Sequence, residues 1–469
     1  MAPRVDVYSH YFKISKYDSR LYELLREYTA PLVQMELVPS QGGRFKPVPS
    51  KVYAAFPDAR FELRLCISKL GDFFGWFGNR GWPRESFEVV EHALYTPAPL
   101  VSKFLKHWEL RDYQAPIVDF CLEPGKPIRV VVLQTGKGKG LISAKAAEFI
   151  NGRIMVVVPA MYTEKWYDEL LEFFEGVKTR MLLVKGLKHL TGLVAMAKLG
   201  TLEHDVIIVS STTMQMFIRQ WERDPVGMTE QICHPEELFE LLKIGTKIVD
   251  ELHKGIHLNI KMDLYTHVPK SIYLTATIKA SNPFVNQMTA MAYDPANRYT
   301  KLEYDKYIGV VALEYRLRNP RALHWVGHNR AYNHNTYEAS MMTKRNRPVL
   351  ENYTKMIVDL VRQNYLDIRE KGQVGLVFAG TVNMCTHLTK ALRRAFPNER
   401  VARYCQDDPF DNLHENDIIV STILSAGTAV DIQGLVMVLM TTAIDSIQAN
   451  EQTMGRLRRL KKWPDVTPK

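Results

Sequence analysis

Short runs of β-branched residues recur along most of this chain, each followed by an amphipathic stretch, and that alternation restricts the fold more than any other feature. RVVVLQ, RIMVVVP, MLLV, DVIIVSS, KIVDEL and SIYLTAT follow one another between Leu110 and Tyr293, with segments such as MYTEKWYDELLEFF between them. Strands that are apolar on both faces belong in a parallel sheet covered by helices on both sides. The theme returns from about Thr300 in VVALEYRL, VGLVFAG, DIIVSTI and LVMVLMTT. The expected fold class is therefore α/β, with two tandem parallel-sheet lobes over residues 109–299 and 300–469 and a small α+β module over residues 1–108.

The N-terminal module combines a helical stretch, Ser19 to Tyr28, with the alternating segment RFELRLCIS. Within it, DFFGWFGNRGW (Asp72 to Trp82) holds five aromatics and three glycines in eleven residues. A hairpin or loop tip is expected there, serving either as the buried closure of a small core or as a base-stacking wedge.

Composition narrows the class of function. With 46% hydrophobic and 24% charged residues over 469 positions, the chain is neither disordered nor collagen-like. No apolar run is long enough to cross a bilayer, and MAPRVDVYSHYF lacks the apolar core of a secretory signal, so a cytoplasmic protein with no membrane partner is expected. Cys66, Cys121, Cys233, Cys385 and Cys405 are scattered without a CxxC and read as reduced thiols. Lys plus Arg exceeds Asp plus Glu by 61 − 51 = 10, which makes an anionic partner plausible, nucleic acid first. The segment RLRNPRALHWVGHNRAYNHNTYEASMMTKRNRPV carries His324, His328 and His334 without a paired carboxylate or thiol, so a phosphate-touching basic loop or a solvated connector is expected rather than a metal site.

Two strand ends carry chemistry. In VVVLQTGKGKGL a buried strand runs into Thr135, Gly136, Lys137, Gly138, Lys139 and Gly140. Glycines let successive backbone N–H groups curl around a phosphate, the following helix adds partial positive charge, and Lys139 would reach the β and γ phosphates of a nucleotide. The strict P-loop has glycine six positions before the lysine and Ser or Thr after it; this chain has Leu133 and Gly140, so the hydroxyl that normally ligates magnesium is missing. The second strand, TKIVDELHK, ends in Asp250, Glu251, Leu252 and His253. Carboxylates at the C-terminal end of a parallel strand face the same crevice as the P-loop, so Asp250 can hold Mg²⁺ through water while Glu251 orients and deprotonates the attacking water.

These residues resemble the DExH-box helicases of superfamily 2. LRDYQ looks like the segment before the P-loop in which a glutamine, here Gln114, recognises adenine; QTGKGKG looks like motif I, DELH like motif II and TAT (Thr275 to Thr277) like motif III. VSTILSAGTAVDI resembles motif V, and QTMGRLRR resembles motif VI. The resemblance implies RecA-like lobes, ATP and Mg²⁺ as cofactors, and a nucleotide site that includes His253 and Asp431. It also implies a catalytic set in which Lys139 and Glu251 work with Gln452 as γ-phosphate sensor and Arg456 and Arg459 as arginine fingers. Within the superfamily, LRDYQ, VPAMYTEKW, TKRNRP and the passage from DSIQANEQ into MGRLRR are most similar to phage branch-migrating DNA helicases of the T-even recombination type, which would place the protein in host cytoplasm.

Strand ends that offer hydroxyls and amides, at Pro159, Ser211, Thr212, Thr381, Ser421 and Thr422, are candidate contacts to a sugar-phosphate chain; any single Ser or Thr among them reads more readily as a helix N-cap than as a ligand. The expected activity is that of an ATP-dependent DNA helicase or translocase on forks, junctions or R-loops, in replication, recombination or repair. Its partners would be single-stranded and branched duplex DNA, with replication or recombination proteins. An RNA helicase, the motor subunit of a restriction system with a separate nuclease, and a nucleotide-switched clamp are the alternatives.

Overall fold

The computed structural model describes residues 2–469 except 40–44, 57–61, 106, 135, 277, 279–282, 301–307, 318–319, 328–330, 406–407, 427–431, 443–449, 451–452, 456, 458–459 and 461. The chain divides into two compact units, Met1–Leu302 and Glu303–Lys469.

The first unit opens with a mixed sheet. Its strands are Arg4–Val7 (β1), Tyr11–Ser15 (β2), Tyr53–Phe56 (β3), Glu62–Cys66 (β4) and Glu88–Glu91 (β5), in the order β3-β4-β2-β1-β5. Only β1 and β5 run parallel. Helix α1 (Ser19–Thr29) is capped by Asp18, whose carboxylate accepts from Leu21 N at 2.8 Å.

The segment Asp72 to Trp82 departs from the expected hairpin. It contributes most of helix α2 (Leu70–Gly78), followed by a turn at Asn79–Gly81. Phe73 and Phe77 stand four residues apart, share a helix face, and are both fully buried against Phe12, Tyr28 and Phe87. Gly71, Gly75 and Gly78 line the open side, where an added Cβ would touch nothing; only Gly81 takes a left-handed φ, of +80°. Burial of the aromatic pair thus outweighs the bending freedom of the glycines.

A seven-stranded sheet follows, built from Ile128–Val132 (β6), Ile154–Val158 (β7), Met181–Val184 (β8), Val206–Ser210 (β9), Thr246–Val249 (β10), Lys270–Thr275 (β11) and Arg298–Tyr299 (β12). The order is β8-β9-β7-β10-β11-β6-β12 and every pairing is parallel. Helices Ala115–Leu122 (α3), Lys139–Ile150 (α4), Thr163–Phe173 (α5), Leu187–Lys198 (α6), Ser211–Arg223 (α7) and Ile256–Asp263 (α8) accompany it. All residues of β7, β9 and β10 are buried, which explains the apolar runs IMVVV of β7 and VIIV of β9; in β10 the buried Lys247 is instead paired with Asp263 at 2.6 Å. One face of this sheet shares a core with the N-terminal module, and the other packs on α3, α4 and α5. Buried polar contacts tie the module down: His10 Nε2 lies 2.6 Å from Ser271 Oγ, and the Arg64 guanidinium pairs with Glu236 at 2.6 Å.

The second unit holds a four-stranded parallel sheet of Val374–Ala379 (β13), Val401–Tyr404 (β14), Ile418–Thr422 (β15) and Leu435–Met440 (β16), ordered β14-β15-β13-β16. Its helices include His334–Met341 (α9), Arg347–Val361 (α10) and Val382–Ala395 (α11). The expected strand VVALEYRL is not one: residues 308–317 carry no regular structure, and Val310 is 75% exposed. The outer edge of β16 is already used there, since Val438 N donates to Lys469 O and Lys469 N to Val436 O.

The α/β class with two parallel-sheet, RecA-like lobes and an N-terminal mixed-sheet module is therefore the fold of this protein. All five cysteines are buried and unbridged. Among the described residues no helix is long and apolar enough to cross a membrane.

Candidate active site

Just past strand β6, Leu133 N donates to Thr275 O at 2.9 Å, pinning the loop base to the end of β11. Beyond it the chain must turn sharply to enter α4. Gly136 at φ +83° and Gly138 at φ +78° supply the left-handed conformations that turn needs. Gly138 is required for space as well, because a Cβ there would lie 2.4 Å from Gln114 Nε2. Thr135 lies outside the described residues.

Gln114 is buried at the start of α3 and latches the loop. Its Nε2 donates to Lys137 O at 3.0 Å, while its Oε1 accepts from Arg111 N at 2.9 Å. Tyr113 donates to the same Lys137 carbonyl from its hydroxyl at 3.1 Å. Lys139, on the first turn of α4, donates from Nζ to Leu133 O at 3.2 Å, so the ammonium folds back over the loop that a phosphate would enter.

Strand β10 carries Asp250 and Glu251 to the same end of the sheet. Both oxygens of Asp250 are held: Oδ2 accepts from Trp166 Nε1 at 2.9 Å, and Oδ1 from Glu251 N at 2.9 Å. Glu251 adopts φ +54°, a left-handed conformation that costs a non-glycine residue about 1–2 kcal/mol. Burial raises the Glu251 carboxyl pKa above the ordinary range, the charge of Asp250 adds to this, and Lys139 opposes it. A carboxyl poised in this way accepts a proton more readily than an exposed one.

His253 connects this element to the end of β11. Its Nδ1 lies 2.9 Å from Thr275 Oγ1 and its Nε2 lies 3.4 Å from Glu251 Oε2. Burial first, then the charges of Lys254 and Lys139, lower its pKa to about 4, so the ring is neutral near pH 7. Lys139 acts electrostatically on both Glu251 and His253, so the glycine loop and the DELH segment form one site.

Among the described residues no group of three or more His, Cys, Asp or Glu side chains is arranged to hold a metal ion alone. Magnesium keeps an octahedral oxygen shell and commonly takes one or two carboxylates plus phosphates and water. Asp250, with both oxygens oriented and the P-loop beside it, fits such a partial shell; Gly140 supplies no hydroxyl.

The candidate nucleic-acid contacts differ in availability. In the first unit Pro159 follows β7, while Ser211 and the exposed Thr212 open α7, whose cap is the buried Ser210, accepting from Thr213 N at 3.2 Å. In the second unit the N-cap alternative holds at Thr381, which accepts from Met384 N at 3.2 Å and donates to Glu338 Oε2 at 2.8 Å. Thr422 Oγ1 accepts from Ser425 N at 3.3 Å, and Ser421 Oγ donates to Tyr404 O at 2.5 Å. Thr381 and Ser421 would donate to a phosphate only by giving up such bonds. His334 pairs with the buried Glu338 at 3.1 Å, consistent with a structural connector. Asp431, Gln452, Arg456 and Arg459 lie outside the described residues, as do Thr277 and His328.

Trp166, Tyr113 and Glu338 are site-supporting residues that sequence reasoning missed. Trp166 shares a buried helical stripe with Leu170 and Phe173, a pattern that signals core; nothing in that spacing tells that its indole N–H faces a carboxylate.

Residues 107–280 match the family described as type III restriction enzyme, res subunit. Among solved structures, the chain is similar to a point variant of S. cerevisiae Dbp5 bound to RNA and ADP BeF3, with 13% identity, a TM-score of 0.46, and coverage of 75% of this chain and 81% of that one. It is also similar to the UvsW helicase from bacteriophage T4, with 14% identity, a TM-score of 0.36, and coverage of 62% and 98% respectively. A search of curated proteins finds no significant match. The glycine loop and the DELH strand end both fall inside the matched segment, and the match supports an ATP-hydrolysing enzyme of the helicase class.

Proposed function

We propose that the protein is an ATP-dependent DNA helicase or translocase that acts on branched DNA, namely forks, junctions and R-loops, in replication, recombination or repair. The observation that carries this reading is the joint placement of Lys139, Asp250 and Glu251 at one end of the seven-stranded sheet, with burial raising the pKa of the Glu251 carboxyl. In this reading Lys139 leaves Leu133 O to bind the terminal phosphates, and Asp250 holds magnesium, which supplies charge neutralisation on the phosphate oxygens when bound. Glu251 orients and deprotonates the attacking water. His253 passes the state of that carboxylate to Thr275 and so to the segment after β11, the proposed route from hydrolysis to strand movement.

Gln452, Arg456 and Arg459 are assigned by their motif order to sensing and stabilising the terminal phosphate. Pro159, Ser211 and Thr212 are proposed contacts to the sugar-phosphate chain, where backbone contacts position a strand without reading its bases. The net charge of +10 favours a polyanionic track.

A second reading, the motor subunit of a restriction system with a separate nuclease, is favoured by the match to the type III restriction enzyme res-subunit family. Steady-state ATPase measured with single-stranded, duplex, forked and four-way DNA beside matched RNA separates these readings. Strongest stimulation by forked or four-way DNA supports the first. Strongest stimulation by RNA or by unbranched duplex overturns the branched-DNA assignment.

A further inference from the structure

Gly140 stands where the P-loop pattern calls for Ser or Thr, and the space beside it is filled from another helix. A Cβ built on Gly140 would lie 2.5 Å from Glu169 Oε2 and 3.6 Å from both Glu169 Cδ and Phe173 Cε2. Glu169 belongs to α5, three residues beyond Trp166, so the two side chains share a face of that helix. From this face Trp166 orients Asp250 through its indole N–H, and Glu169 brings a carboxylate to the first turn of α4. The Glu169 side chain is 32% exposed, and its Oε1 is 3.5 Å from Lys165 Nζ, a loose pair that leaves Oε2 directed at the loop.

The charges agree with the geometry. Burial raises the Glu169 pKa; Lys165 works against this, and the negative charge of Asp250 works with it. Two carboxylates of like charge are better accommodated with a cation beside them, and a hard divalent ion takes carboxylate oxygen as readily as hydroxyl oxygen.

We infer that Glu169 replaces the missing P-loop hydroxyl, its carboxylate joining Asp250 as the protein's share of the shell around a divalent cation that arrives with the nucleotide phosphates. This inference rests on the nucleotide-site reading above. It also accounts for the glycine: any side chain at position 140 would push the Glu169 carboxylate out of the place it fills.

The test is electron paramagnetic resonance titration of Mn²⁺ into full-length protein with a non-hydrolysable ATP analogue, beside metal-free binding of a fluorescent nucleotide. E169Q should raise the apparent Mn²⁺ Kd about tenfold or more, while metal-free nucleotide affinity changes less than about twofold. G140S restores a hydroxyl, and in that background E169Q should cost less than about threefold. Glu169→Asp, which keeps the charge on a shorter stem, should fall between wild type and E169Q. An Mn²⁺ Kd for E169Q within twofold of wild type, or an equal loss in both backgrounds, overturns the inference and leaves Glu169 as the partner of Lys165. Wild-type protein that binds no nucleotide with or without Mn²⁺ overturns the nucleotide-site reading as well, which separates the two failures.

Discussion

Replacing Trp166 by Phe removes the one N–H that reaches Asp250 Oδ2, along with some buried packing, so its effect on the site can be worked out from the structure. The indole N–H is 2.9 Å from Asp250 Oδ2, and Trp166, on α5, is buried in the core that α5 shares with α4. A hydrogen bond to a carboxylate contributes about 1.5–3 kcal/mol. If that energy serves to fix Asp250 for the transition state, its loss lowers kcat about 10- to 150-fold, at 1.36 kcal/mol per tenfold, and leaves the KM for ATP nearly unchanged. Trp221→Phe provides the control, since that indole is equally buried but donates to a neutral hydroxyl, Thr229 Oγ1, at 3.1 Å. Both variants lose packing and should melt at lower temperature than wild type. Nucleic-acid-stimulated ATPase should fall only in W166F. A kcat for W166F within twofold of wild type, or an equal loss in W221F, would refute a role for the indole in orienting Asp250.

Further expectations concern folding in each unit. His10 is fully buried, and burial, then the charge of Lys247, hold its pKa well below the usual 6.5. As pH falls below about 6.5 the unfolded chain gains a proton that the folded chain refuses, so stability declines toward acid by up to about 1.4 kcal/mol per pH unit from this group. His204, His253, His267 and His387 are shifted in the same direction, so H10Q should lessen the acid slope of urea-unfolding stability without abolishing it; an unchanged slope would count against the burial argument. Glu338 accepts from Gly380 N, Thr381 N and Thr381 Oγ1, each within 2.8 Å. Glu338→Ala leaves these donors without an acceptor, at about 1–3 kcal/mol each before relaxation, and should lower the urea midpoint of the second unit markedly; a midpoint equal to wild type would contradict the bonding described.

Much of this was legible in the sequence because burial on both faces of a parallel sheet writes itself as continuous apolar runs. The strands that run up to Leu133 and Asp250 could be placed for that reason, and with them the loop and the DELH end. What escaped depended on tertiary context. Phe73 and Phe77 have helical spacing, yet the glycines between and around them favour a turn until a core is present to reward burial of the rings. VVALEYRL alternates like a strand, but Lys469 occupies the edge it would need. Hydroxyls at Thr381 and Thr422 were readable either as caps or as ligands, and only the positions of Glu338 and Ser425 show them bonded within the fold. The approach of Glu169 to Gly140 joins residues 29 positions apart on different helices, a separation that no local pattern records.

The central claim is that Lys139 and Glu251 belong to one ATP-hydrolysing site, and phosphate release by K139A tests it most directly. Removing a cation that stabilises developing phosphate charge should lower nucleic-acid-stimulated turnover at least about 100-fold, while affinity for forked DNA stays within a few-fold of wild type. K139A that releases phosphate from ATP at the wild-type rate would contradict the claim.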